Sequence, residues 1–139
     1  MPCALVVDDS PSVRLLIRTN LELAGFEIVE ADDGVEALHH LQHAERLPDV
    51  VTLDVMMPRQ SGLATAEAIR SDPRTHRIPI VMVTTQSTPA DVARGERAGV
   101  NAYVAKPFDP DVLVETIERA VEEAGRAREH GGPAGTLDR

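Results

Sequence analysis

Short apolar runs alternate along this chain with longer segments whose apolar residues recur every three or four positions. The runs predict five strands near residues 3–7, 26–31, 50–53, 78–83 and 102–105. The intervening periodicity predicts five helices near 11–24, 34–43, 62–71, 89–98 and 110–125. In the first helix Val13, Leu16, Ile17, Leu21 and Ala24 draw one apolar stripe, and Leu113, Ile117, Ala120, Val121 and Ala124 draw another in the last. Helix starts are punctuated: Ser10-Pro11, Thr88-Pro89 and Asp109-Pro110 each set a capping oxygen before a proline, and Asp33 with Glu36 resembles a capping box. Gly25 and Gly99 stand where the first and fourth helices should stop. Strict alternation of strand and helix implies βαβ units. With right-handed crossovers the fold class is α/β, a doubly wound five-stranded parallel sheet with five helices on its two faces.

Four of the five runs end in a residue with chemistry to offer. Val6-Val7 leads to Asp8-Asp9, Val50-Val51-Thr52-Leu53 to Asp54, Ile80 to Val83 to Thr84-Thr85, and Ala102 to Ala105 to Lys106-Pro107. In a parallel sheet these ends share one edge, where the ligand sites of open α/β sheets form. Each residue has a plainer reading alone. Asp8, Asp9 and Ser10 could cap the first helix, Thr84 could be an ordinary strand-end hydroxyl, and Lys106 a solvated charge. Capping explains Asp54 less well, because no helix begins at once in Val55-Met56-Met57-Pro58. The groups are more telling together, since each complements the others.

Three neighbouring carboxylates resist ionisation unless a cation sits among them. Oxygen ligands without a nearby His or Cys favour Mg²⁺. An Asp carboxylate can attack phosphorus and form an aspartyl phosphate. An ammonium and a hydroxyl then stabilise charge on the phosphoryl oxygens. Asp54 as nucleophile, Asp8 and Asp9 on the metal side, and Thr84 and Lys106 as partners of the phosphoryl oxygens make a complete set.

Composition narrows the setting. The 139 residues suffice for one core, and the net charge of −9 argues against a nucleic-acid surface. Cys3 is the sole cysteine, no apolar run approaches membrane length, and no signal sequence opens the chain, which points to the cytoplasm. From about Arg126 the chain has too few apolar groups to fold alone. The expected organisation is therefore one domain over 1–125 and a disordered C-terminal tail over 126–139, whose glycine-rich close resembles a natural terminus more than a severed linker.

At Val7-Asp8-Asp9-Ser10, Leu53-Asp54-Val55-Met56-Met57-Pro58 with Gly62, Val83-Thr84-Thr85 and Tyr103-Val104-Ala105-Lys106-Pro107-Phe108 the sequence closely resembles the receiver domain of bacterial two-component response regulators, of the stand-alone chemotaxis type. The resemblance implies a flavodoxin-like (βα)5 fold with strand order 2-1-3-4-5. It implies that Asp54 accepts phosphate from a histidine kinase or phosphotransfer protein. It also implies that Asp9, Asp54 and the backbone carbonyl of Met56 hold Mg²⁺, with Asp8 acting through the metal's water shell. Thr84 and Tyr103 would form the switch, the Lys106–Pro107 bond would be cis, and a downstream protein would dock on the face of helix 4, strand 5 and helix 5, around Arg94, Arg97 and Tyr103. In that reading the Tyr103 ring turns inward when the Thr84 hydroxyl moves to a phosphoryl oxygen. The chain would be a monomer or a weak phosphorylation-dependent dimer, and would act as an enzyme only upon itself.

Met56 and Thr85 should hinder a hydrolytic water, although simple packing is the plainer role for Met56. A haloacid-dehalogenase-type phosphatase needs a second Asp where Met56 stands. An FMN binder needs aromatics that a chain with one Tyr and two Phe lacks, and no Gly-rich loop with Lys-Ser/Thr supports a nucleotide enzyme. The alternative that survives is a phosphorylation-independent protein-interaction domain with the same fold.

Overall fold

A computed structural model describes residues 1–131. Strands β1 (Cys3–Val7), β2 (Glu27–Ala31), β3 (Val50–Leu53), β4 (Ile80–Thr84) and β5 (Ala102–Ala105) alternate with helices α1 (Pro11–Leu23), α2 (Gly34–His43), α3 (Gly62–Ser71), α4 (Pro89–Arg97) and α5 (Pro110–Gly131). All neighbouring strands pair in parallel, in the order β2-β1-β3-β4-β5. This is the fold and the strand order expected from the sequence.

The two-residue period of the strands divides the core. Leu5, Val7, Val51, Leu53, Ile80 and Met82 pack with Ala37, Leu41, Ala66 and Ile69 of α2 and α3. Ala4, Val6, Val50, Val81, Val83 and Val104 pack with Ile17, Leu21, Leu113 and Ile117 of α1 and α5. Central strands buried on both faces read as unbroken apolar runs for this reason. Each fully buried large aliphatic side chain contributes about 1.5–3 kcal/mol. Thr52 interrupts the second face: paired with Val6 across the strand, its hydroxyl is buried without a hydrogen-bond partner.

The caps explain where helices begin. Ser10, Asp33, Ser61 and Thr88 accept from the amides of Val13, Glu36, Ala64 and Asp91. Gly25 and Gly99, at φ 97° and 95°, end α1 and α4 in the left-handed region. Three expectations need correction. Leu16 is 49% exposed, so only Ile17 and Leu21 of the α1 stripe are fully buried. The Glu36 carboxylate accepts from the amide of Asp32 rather than Asp33, so the α2 capping box is not reciprocal. The last helix runs to Gly131, past the boundary at 125, because Glu, Ala and Arg sustain a helix without a core. An Arg126–Glu122 pair four residues apart at 2.6 Å supports this extension. The rest of the expected tail, 132–139, lies outside the described residues.

Candidate functional site

The carboxyl ends of β1, β3, β4 and β5 converge at one edge of the sheet. Asp8 and Asp54 follow the innermost strands and are buried, whereas Asp9 is exposed at the mouth. One carboxylate oxygen from each of the three lies within 4.8 Å of the others. The Lys106 ammonium reaches between β1 and β3, donating to Asp8 Oδ2 at 2.8 Å and to Asp54 Oδ2 at 2.6 Å. Burial alone would lower the lysine's pKa, but hydrogen bonds to Asp54 and Asp8, with their charges, outweigh it and raise the value. Lys106 is therefore held as ammonium.

The other carboxylate oxygens of Asp8 and Asp54 are also occupied. Asp8 Oδ1 accepts from the amide of Ser10 at 2.9 Å, and Asp54 Oδ1 from the amide of Met56 at 3.1 Å. Thr84 is fully buried at the end of β4, where its Oγ1 accepts from the Gln86 amide and its carbonyl accepts from the Lys106 amide. The Lys106–Pro107 bond is cis. Gly62 opens α3 so close to the end of β3 that a Cβ there would stand 2.1 Å from the Asp54 carbonyl oxygen.

The structure thus brings Asp8, Asp9, Asp54 and Lys106 together, with Thr84 on the adjoining strand end. Three carboxylates against one ammonium leave two negative charges unbalanced, and no described cation pairs with Asp9. That residue set fits a hard divalent cation.

Two expectations are modified here. The Met56 side chain is 62% exposed, so packing is not its role, and only its backbone bond to Asp54 ties it to the site. Tyr103 does not wait outside: its half-buried ring lies against Gly95 of α4, and its hydroxyl donates to the Asp91 carbonyl at 2.9 Å. Burial first, then the Asp91 charge, raise the phenol pKa, against the opposing charge of Arg94.

Sequence reasoning missed Arg14, whose Nη1 donates to the Asp8 carbonyl at 2.6 Å while the same side chain pairs with Glu30 and Asp32. The signal was an arginine one turn into the helix that follows the acid pair. It also missed Arg59, paired with Asp33 across 26 residues, which no local pattern announces.

Comparison with known proteins agrees with this geometry. The family model of the response regulator receiver domain matches residues 4–118. The chemotaxis protein CheY1 of Helicobacter pylori is 44% identical over 115 residues, covering 82% of this chain and 92% of that protein. A chemotaxis protein CheY homolog of Campylobacter jejuni is 40% identical, covering 82% and 88%. Among solved structures, the chemotaxis response regulator CheY4 of Vibrio cholerae superposes with a TM-score of 0.80 at 37% identity, covering 86% of this chain and 98% of that one. The chain belongs to the response regulator receiver domain family and is a signalling switch of the two-component type.

Proposed function

We propose that Asp54 is the phosphoacceptor, that a histidine kinase or phosphotransfer protein supplies the phosphoryl group, and that Mg²⁺ is the resident cation. The observation that carries this reading is the Lys106 ammonium bridging Asp8 and Asp54, with Asp9 open beside them. An Asp54 oxygen attacks the phosphorus of a phosphohistidine, the new O–P bond forms as the P–N bond breaks, and the imidazole nitrogen leaves with the electron pair. Lys106 then exchanges its bond to Asp54 Oδ2 for one to a phosphoryl oxygen. The Thr84 hydroxyl, which can release the Gln86 amide, donates to another. Asp8, Asp9, Asp54 and the Met56 carbonyl would hold Mg²⁺, whose charge neutralises the phosphoryl oxygens.

The phosphoryl group would be read on the face of α4, β5 and α5, where the exposed Arg94 and Arg97 flank Tyr103. Because the ring already packs on α4, phosphorylation would shift the population of this arrangement rather than create it. Met56 and Thr85, both exposed, would shield the acyl phosphate from water. A protein with this residue set would work in the cytoplasm, where histidine kinases present their phosphoryl groups.

The reading is tested by intact-mass measurement with acetyl phosphate and Mg²⁺. One phosphoryl group should add to the native chain and none to Asp54→Asn. Labelling of that variant at the native rate would remove Asp54 from the role. No labelling of the native chain would favour the phosphorylation-independent interaction domain.

A further inference from the structure

Arg59 stands in the loop between Asp54 and α3, and it is the one non-glycine residue with positive φ, 66°, among the described residues. The Gln60 amide donates to the Pro58 carbonyl at 2.7 Å across it. That bond closes a γ-turn of the rare, strained hand, which an arginine enters only if something outside the turn holds it. The structure shows what holds it. Arg59 Nε and Nη2 both converge on Asp33 Oδ2, at 2.7 and 2.6 Å.

Asp33 is well placed to be the fixed end of this pair. It is buried, it caps α2, and its Oδ1 already accepts from the Glu36 amide at 2.9 Å. The next residue closes the same gap: a Cβ on Gly34 would lie 3.2 Å from the Gln60 carbonyl oxygen and 2.0 Å from Thr65 Oγ1. At its other end the loop is tied to the site by the Met56 amide on Asp54 Oδ1 and by the Gly62 amide on the Val55 carbonyl. Between those ties Met56, Pro58 and Arg59 are exposed and Met57 is the one side chain packed against the core, so few buried contacts hold this stretch.

We propose that the Arg59–Asp33 pair is a latch that fixes the loop after Asp54 in its strained turn, and thereby sets the position of the Met56 carbonyl and the affinity of the acidic pocket for its cation. This rests on the reading of that pocket as a Mg²⁺ site. Arg59 and Asp33 are positioning residues and touch neither metal nor phosphate in this scheme.

At Arg59 the latch and a plain charge effect predict opposite outcomes, whereas at Asp33 both weaken cation binding and only the exchange measurement separates them. Removing a positive charge near an acidic pocket should tighten cation binding by simple electrostatics. Losing a latch should weaken it, and outer-shell partners of a metal site typically carry about 10–100-fold in affinity. Arg59→Gly is the informative variant, because glycine adopts positive φ freely and removes the strain together with the pair. Asp33→Asn keeps a good helix cap and removes the charge.

Two measurements decide it. Thermal melts across a Mg²⁺ titration should show the midpoint for stabilisation rising about tenfold in Arg59→Gly and in Asp33→Asn, with no further rise in the double variant. Amide hydrogen exchange without metal should show Gln60 and Gly62 exchanging about tenfold faster in both variants, as expected when a local closure is lost. Arg59→Lys, which keeps the charge but not the fork, should fall between native and glycine. An unchanged or lower Mg²⁺ midpoint in Arg59→Gly, with the native chain still stabilised by Mg²⁺, would overturn the latch. Unchanged exchange at Gln60 and Gly62 would overturn it whatever the metal does. A native chain that Mg²⁺ does not stabilise would instead overturn the metal-site reading, and with it the metal half of the proposal.

Discussion

The two halves of the carboxyl-terminal edge are built differently. On the β1–β3 side, Asp8 and Asp54 are buried, and each carboxylate is held by one backbone amide and the shared ammonium of Lys106. On the β4–β5 side, α4 has only Asp91 and Gly95 as fully buried residues, whereas α5 sinks Leu113, Ile117 and Ala120 into the core. Tyr103 meets α4 through one hydroxyl bond and a gap that exists because residue 95 lacks a side chain. A helix with so little buried apolar surface belongs to the low-stability end of a fold. In the function proposed above, charge would fix the chemistry and loose packing would leave the readout free to move. A switch needs both, since a tightly packed α4 would resist a shift that a single phosphoryl group can drive only by differential contacts.

Removing the ammonium should test the firm side hardest. Lys106→Ala leaves Asp8 and Asp54 facing each other as buried carboxylates. Breaking a buried pair in this way costs about 3 kcal/mol or more. Urea unfolding at pH 7 without divalent cation should show that loss, and Mg²⁺ should recover part of it by binding the folded state. A variant as stable as the native chain would show that the ammonium does not hold these acids together.

Gly95→Ala probes the loose side. Helix propensity alone would favour alanine by about 1 kcal/mol. The new Cβ, however, would stand 2.4 Å from the Tyr103 hydroxyl, and overpacking costs about 1–3 kcal/mol. The ring should be expelled, with a net loss of up to about 2 kcal/mol. Tyr103 is the only tyrosine and the chain has no tryptophan, so a phenolate absorbance titration reads this one ring. Its raised pKa should drop toward the ordinary value as burial is lost. An unmoved titration would mean that α4 gives way instead of the ring.

The smallest effect lies beneath the firm side. Thr52→Val replaces the one buried hydroxyl without a partner among the described residues, between Val6 and Val81, by a methyl group of similar size. The stability gained should be about 1 kcal/mol by chemical denaturation, with phosphorylation unchanged. A loss would imply that the hydroxyl is satisfied in solution.

This contrast also sorts what the sequence could reveal. The strands and the pocket were legible because apolar runs stop at Asp8, Asp54, Thr84 and Lys106, and a parallel sheet has to align such stops, whereas the strand order followed only from the family resemblance. Helix starts were legible from Ser10, Asp33 and Thr88, whose caps act within three residues. Whatever depends on distant shape was not legible. Gly95 in mid-helix reads as a weak helix former, and only the fold shows Tyr103 filling its place. Leu16 satisfies helical spacing yet sits beside Ile17 on the rim, because a 3.6-residue period tolerates two adjacent candidates for one buried position. Simple packing was the plainer role for Met56, but the loop turns out immediately after Asp54 and carries the side chain to solvent.

The Lys106–Asp8 ion pair joins residues 98 positions apart. A nascent chain halted before β5 emerges carries every acid of the pocket and no ammonium to order them. Synthesis runs N-terminal first at about 5–20 residues per second, so for several seconds the chain has its acids but no assembled pocket. The pocket is therefore assembled only with the completed sheet, because its ammonium arrives on the last strand.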